Sequence, residues 1–214
     1  YNVVDRIYIG HIPGESTVPL TGLGLALPII TIITAFANLF GMGGAPLCSI
    51  ARGQRENKKA EQIMGNSFSM LLISGILLMI LCLLFKKPLL YLLQTPSSIL
   101  GMADSYLTII IIGLFVTMAY NMMASMMRSI GDSRTPLYFL IIASILNVAL
   151  DYIFIAIIQL GVAGAAYATV IAQLISVILC FLYMRKKYPM FIVKKEDFHV
   201  EREILRKQLS MGIS

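Results

Sequence analysis

"LNVALDYIFI", residues 146–155, sets a carboxylate inside an apolar run. Sixteen residues without a formal charge, Thr135 to Leu150, precede Asp151, and thirty-three more, Tyr152 to Met184, follow it. An apolar run of about 20 residues is the length of helix that crosses the hydrocarbon core of a bilayer. An unpaired charge at that depth costs on the order of 3 kcal/mol or more. The stretch therefore marks a transmembrane helix and, within it, a candidate functional residue.

The remaining sequence has the same character. The chain has 214 residues, 58% of them hydrophobic and 13% charged, with a mean hydropathy of +0.83. Soluble domains carry about 25% charged residues. A transmembrane β-barrel would alternate in short segments of about ten residues, whereas these apolar stretches are long and continuous. The fold class is an all-α membrane protein. Residues 1–10 read as the last turns of a helix, and "HIPGEST" (11–17) as a turn. Full spans follow at Ser16–Ala51, Met64–Phe85, Met102–Met127, Leu137 to about Ile158, and Tyr167–Met184. The 36-residue stretch from Ser16 is longer than a span requires, so Pro28 and "GMGG" (41–44) are expected kinks or breaks. Five full spans and the tail of another make a six-transmembrane-helix bundle over residues 1–184, with its first helix truncated. Residues 86–98 read as a connector between spans, or as an interfacial helix. Residues 159–166 must hold a tight reversal, and Pro136 suits the first turn of a helix. Residues 185–214 read as a basic, polar linker followed by the start of a further apolar run. The chain begins at Tyr1 without a signal peptide and stops in "SMGIS", so both ends read as cut from a longer protein.

Charge gives the orientation. Of 17 Lys and Arg, residues 52–59 carry four, 128–134 two and 185–207 eight, while 11–17, 86–98 and 159–166 carry two in total. Loops rich in Lys and Arg stay inside, which assigns loops 52–62, 128–136 and 185–209 to the cytoplasm of a multi-pass plasma-membrane protein. The net charge of +6 is accounted for by this bias and implies no nucleic-acid partner; the partner is the lipid bilayer. Cys48, Cys82 and Cys180 lie far apart in apolar sequence and read as free thiols. Nothing points to an enzyme. His11 and His199 lack metal-ligand spacing, and no G-x-S-x-G, H-E-x-x-H or Walker pattern occurs.

Depth brings certain polar groups to one level. Asp5 lies about two turns before the external turn at Pro13, and Asp151 about two turns before Gly161. At 1.5 Å per residue both lie roughly 12 to 15 Å below the outer helix ends. Thr169, eight residues past Gly161, descends to a comparable depth. Asn147 stands one turn from Asp151 on the same face. If their helices are neighbours, two carboxylates, an amide and a hydroxyl converge. These hard oxygens could hold Na⁺, or share a proton. Blander readings stand beside this one. Asp5 has Arg6 as a local counterion, Asp151 could serve as a structural polar contact, and Asn147 and Thr169 could be helix–helix glue. Asp104 and Glu61 read as carboxylates at helix starts, where the dipole favours them. Tyr106 reads as an aromatic-belt residue or as part of the same pocket. "MMASMM" (122–127) reads as packing, or as an adaptable wall for varied ligands.

"YNVVDRIYIGHIPG", "IARGQRENKKAEQ", "RSIGDSRTP" and above all "LNVALDYIFIAIIQLGVAGAAYATVIAQ" resemble the multidrug and toxic compound extrusion (MATE) family. The resemblance covers nearly the whole chain. It implies twelve helices in two bundles related by a pseudo-two-fold axis, of which this chain is the N-terminal one, its C-terminal partner bundle missing. It also implies export of cationic or amphipathic compounds in exchange for H⁺ or Na⁺, with no other cofactor. The family's cation site maps onto Asp5, Asn147, Asp151 and Thr169, with Tyr106 as a further network member. A lipid-linked sugar flippase of the same superfamily is one rival; it would line its cavity with arginines, and this chain has no mid-span basic residue. A non-transporting membrane scaffold is the other; it has no use for carboxylates gathered at one depth.

Overall fold

The structure is a computed structural model and describes residues 31, 44–92, 94–188, 204, 206 and 210. Asp5, the first span and most of the second lie outside the described residues. Within them the chain is helical: α1 (Gly44–Gly53), α2 (Asn57–Leu92), α3 (Ser97–Ser129), α4 (Arg134–Asp151), a π-helical turn (Tyr152–Ile157) and α5 (Gly161–Lys187). Four stretches are long and apolar enough to cross a membrane: α2, α3, α4 with its π turn, and α5.

The helices run further than the apolar stretches that announce them. The sequence predicts a connector or an interfacial helix over 86–98; α2 itself continues through Lys86, Lys87 and Pro88 to Leu92. Hydrophobicity reports where hydrocarbon ends, while backbone hydrogen bonding continues through the headgroup region. Pro88 has no N–H, so it cannot make the i→i−4 bond to the Leu84 carbonyl. The longer helices also move Asp104 and Glu61 out of the first helical turn, which holds no acidic residue in α2 or α3. Asp104 is instead paired with Lys86 of α2 at 2.8 Å.

Each reversal has a local cause. After α1, Glu56 N–H bonds the Ala51 carbonyl at 2.9 Å and Arg55 takes φ 61°. After α3, Gly131 takes φ 88° and Asp132 N–H closes on the Met127 carbonyl at 2.9 Å. That left-handed position suits glycine, which has no Cβ to clash. Between the π turn and α5, Gln159 (φ 60°) and Gly161 (φ 58°) make the tight reversal expected within 159–166.

Helix α5 is the central packing element. It lies against α3 most extensively and against α4 next, while α2 packs on the other flank of α3. Gly113 of α3 allows the closest approach: a Cβ there would collide with Val170 of α5. The core between the helices holds Leu71, Leu107, Ile111, Met118, Met122, Met126, Met127 and Ala165. All four methionines of "MMASMM" are buried, which is the packing role. The outer surface is apolar, with Ile73, Leu84, Leu92 and Ile145 exposed as a lipid-facing residue would be. The three cysteines are free, as their spacing suggests.

At the far end of α5 the 130–133 loop is tied down. Asp132 accepts hydrogen bonds from Tyr183 Oη at 2.8 Å, Lys187 Nζ at 3.3 Å, Tyr188 Oη at 3.3 Å and the Thr135 amide at 3.2 Å. Desolvation alone would raise its pKa, but the bonds from Thr135, Tyr183 and Lys187 outweigh it and hold the carboxyl down to about 2.

Candidate functional site

Where α4 meets α5, a short run of polar side chains is closed off from the surroundings. Asn147 and Asp151, one helical turn apart on α4, are both 0% exposed, and Thr169 of α5 is 9% exposed. Asn147 Nδ2 donates a hydrogen bond to Thr169 Oγ1 at 3.3 Å. The antiparallel α4–α5 pair explains the meeting: Asn147 and Asp151 precede the reversal at 158–160, Thr169 follows it, and both helices return to the same level. Small residues let them come close, since Ala165, Ala166 and Ala168 of α5 and Ala143 of α4 are completely buried.

The donor chemistry is that of a small hard cation or a proton. Asn147 Oδ1 is buried and receives no hydrogen bond from the described residues. The Asp151 carboxylate lies one turn along α4, and the Thr169 hydroxyl of α5 is bonded to the same amide group, so oxygens of three types are buried there. Such oxygens suit Na⁺, and a carboxylate in this setting can alternatively carry H⁺. Among the described residues no group of three His, Cys, Asp or Glu comes together as a metal site.

Three of the residues singled out in the sequence are thus placed: Asn147 and Thr169 in contact, Asp151 buried beside them. Asp5 lies outside the described residues. Tyr106 is 1% exposed in the core of α3, so it is an interior residue and not part of an aromatic belt at the membrane surface.

Several features have no signature in composition. Helix α4 changes from α to π hydrogen bonding at the residue after Asp151. Thr117 of α3 donates a hydrogen bond to Gln173 of α5, one turn beyond Thr169. The Lys86–Asp104 pair is mostly enclosed and also involves Thr108, to which Lys86 donates.

With this geometry in view, the relationships of the chain are specific. The MatE family model matches residues 1–153. The chain belongs to the MATE family. MATE proteins are transporters and not enzymes, and the apolar helices make this one a multi-pass plasma-membrane protein. The chain is 30% identical to the probable multidrug resistance protein YpnP of Bacillus subtilis, matching all of this chain and 48% of that one. It is 24% identical to the multidrug export protein MepA of Staphylococcus saprophyticus, over 99% of this chain and 47% of the relative. Among solved structures, an inward-facing multidrug resistance MATE transporter of the MOP superfamily superposes with a TM-score of 0.91 at 27% identity, covering 100% of this chain and 48% of that one. An outward-facing structure of such a transporter superposes at 0.89. The chain spans about half the length of the MATE relatives it matches, which accords with one bundle of a two-bundle transporter.

Proposed function

We propose that the chain is the cation-coupling half of a MATE antiporter that exports cationic or amphipathic compounds in exchange for H⁺ or Na⁺. The observation that carries this reading is the buried Asn147–Asp151–Thr169 group between α4 and α5, closed by the 3.3 Å Asn147–Thr169 bond. Asp5 of the first helix joins the group in this proposal. The multidrug resistance and multidrug export proteins among the relatives support the substrate class.

The chemistry follows from the cost of charge. In the outward-open state the carboxylates take up H⁺ or Na⁺. Neutralising them removes the desolvation penalty that opposes closing the site, so the outer mouth can shut and the bound compound leave. The cation then leaves to the cytoplasm. One elementary charge moving through 100 mV releases about 2.3 kcal/mol, enough to sustain a gradient of roughly fifty-fold. In this orientation the loops at 52–62, 128–136 and 185–209 face the cytoplasm.

The flippase alternative has less support. One solved relative, a MOP superfamily transporter from Pyrococcus furiosus with a TM-score of 0.89, is described as having a binding pocket of reversed polarity that suggests a different function. Among the described residues of this chain, basic side chains lie at or near helix ends, and Lys86 is neutralised by Asp104. No arginine-lined cavity for a phosphorylated lipid is built from them.

The test is export of a fluorescent cationic dye by cells carrying the full-length transporter. Asp151→Asn should abolish export at unchanged membrane abundance. Wild-type export by that variant would remove the coupling role from Asp151.

A further inference from the structure

The π turn and the glycine that faces it bear on how the cation site is held. Helix α4 is α-helical up to Asp151, and Tyr152–Ile157 then form a π turn. The wide turn continues into the reversal, where Ile158 N–H bonds the Ile153 carbonyl at 2.9 Å and Leu160 N–H bonds the Phe154 carbonyl at 2.9 Å. These close over five and six residues instead of four. A wider turn packs less well along its own axis.

Gly164, the fourth residue of α5, sits directly against this turn. A Cβ there would stand 3.1 Å from Phe154 Cβ, 3.2 Å from Leu160 Cβ and 3.2 Å from the Phe154 carbonyl carbon. The last of these is backbone and cannot swing aside. An added methyl would therefore separate α5 from the π turn by a few tenths of an ångström. Gly164 φ is not in the left-handed region, so the need for glycine here is one of space. Thr169 lies five residues further along the same helix, roughly 7.5 Å away at 1.5 Å per residue. Ile155 of the π turn is buried, so the turn is pinned on its inner side as well.

We infer that Gly164 and the π turn at Phe154 are the positioning elements of the cation site: their close contact sets the height of Thr169 against Asn147 and Asp151. Neither touches the ion. Gly164 acts by admitting α5 to contact distance, and the π turn by presenting the Phe154 backbone where a regular helix would have carried a different residue. This inference rests on the reading of Asn147, Asp151 and Thr169 as the coupling site.

The test uses the full-length transporter in proteoliposomes. Dye transport is titrated with Na⁺ at fixed pH and, separately, with pH in the absence of Na⁺; the titration that drives the unsubstituted transporter is the readout. Gly164→Ala should raise the half-saturating cation concentration about tenfold. Transport at saturating cation should stay within about twofold, as expected when binding geometry and not the transport cycle is disturbed. Gly101→Ala, which adds a methyl where nothing lies within 4 Å, should leave the midpoint in place. If Gly164→Ala does not reach the membrane, Phe154→Gly decides, since it removes the Phe154 Cβ from the same contact; it too should raise the midpoint. A wild-type midpoint in Gly164→Ala, or in Phe154→Gly where that variant decides, overturns the inference. A midpoint that moves equally in Gly101→Ala overturns it as well. Asp151→Asn run in parallel separates the two claims: its wild-type transport defeats the site itself, whereas its loss beside an unmoved Gly164→Ala midpoint defeats only the positioning role.

Discussion

Asn147 of α4 and Thr169 of α5 share a hydrogen bond of 3.3 Å, 22 residues apart in sequence, beside the fully buried Asp151. A hydrogen bond of this kind is worth about 1 kcal/mol, roughly a factor of five in affinity. Thr169→Val keeps the volume and removes the hydroxyl. It should weaken cation dependence of transport about fivefold, and Asn147→Leu should weaken it more, because the amide oxygen goes too. Half-saturating cation concentration in proteoliposomes is the measurement, and an unmoved midpoint in both variants would contradict the assigned contact.

Lys86 and Asp104 form a largely enclosed pair between α2 and α3, with side chains 14% and 27% exposed. Removing one partner of such a pair strands the other charge, which costs more than the pair itself contributes. Lys86→Met and Asp104→Leu should each lower the thermal unfolding midpoint in detergent. The double variant should lose less than the sum of the two. Strict additivity would show that the charges do not feel each other.

Gly113 and Val170 set the α3–α5 distance, since a Cβ on Gly113 collides with Val170. Gly113→Ala should therefore lower the unfolding temperature, and Val170→Ala added to it should restore part of the loss. Overpacking of this kind costs roughly 1–3 kcal/mol. No recovery in the double variant would place the origin of the loss elsewhere.

Asp132 gives a pH signature outside the membrane. Against desolvation, the bonds from Thr135, Tyr183 and Lys187 hold its carboxyl down to about 2, below the ordinary carboxylate range. A depressed carboxylate stabilises the fold above its unfolded pKa, and this contribution fades as pH falls through the folded pKa. Asp132→Asn should therefore be less stable than the parent at pH 7. The gap should narrow from about pH 4 downward and close near pH 2. Thermal unfolding of the two proteins across that range is the check; a gap constant with pH would contradict the bonds from Tyr183 and Lys187.

The sequence shows some of these relationships and hides others for physical reasons. Asp151 was conspicuous because a charge in hydrocarbon is expensive, and Asn147 because i, i+4 spacing is regular. Thr169 followed from counting down from Gly161, whose position in the reversal the structure reproduces with φ 58°. The continuation of α2 through Lys86, Lys87 and Pro88 was hidden, because side-chain polarity marks the edge of the lipid and not the end of backbone hydrogen bonding. The Asp132 cluster was hidden because Tyr183 and Lys187 are 51 and 55 residues away from it. Gly164 was legible as a small residue near a turn, but the π turn that gives it a role leaves no pattern in residue type. Tyr106 reads as a membrane-surface aromatic when Asp104 is taken for a helix start; α3 begins at Ser97, and Tyr106 is buried within the bundle.

The most direct measurement is cationic-dye movement through the full-length transporter in proteoliposomes, driven in turn by an imposed pH difference and an imposed Na⁺ difference. The coupling role of Asp151 predicts that one gradient drives the unsubstituted protein and that neither drives Asp151→Asn. Asp151→Asn moving dye under the same gradient and at the same rate as the parent would contradict it.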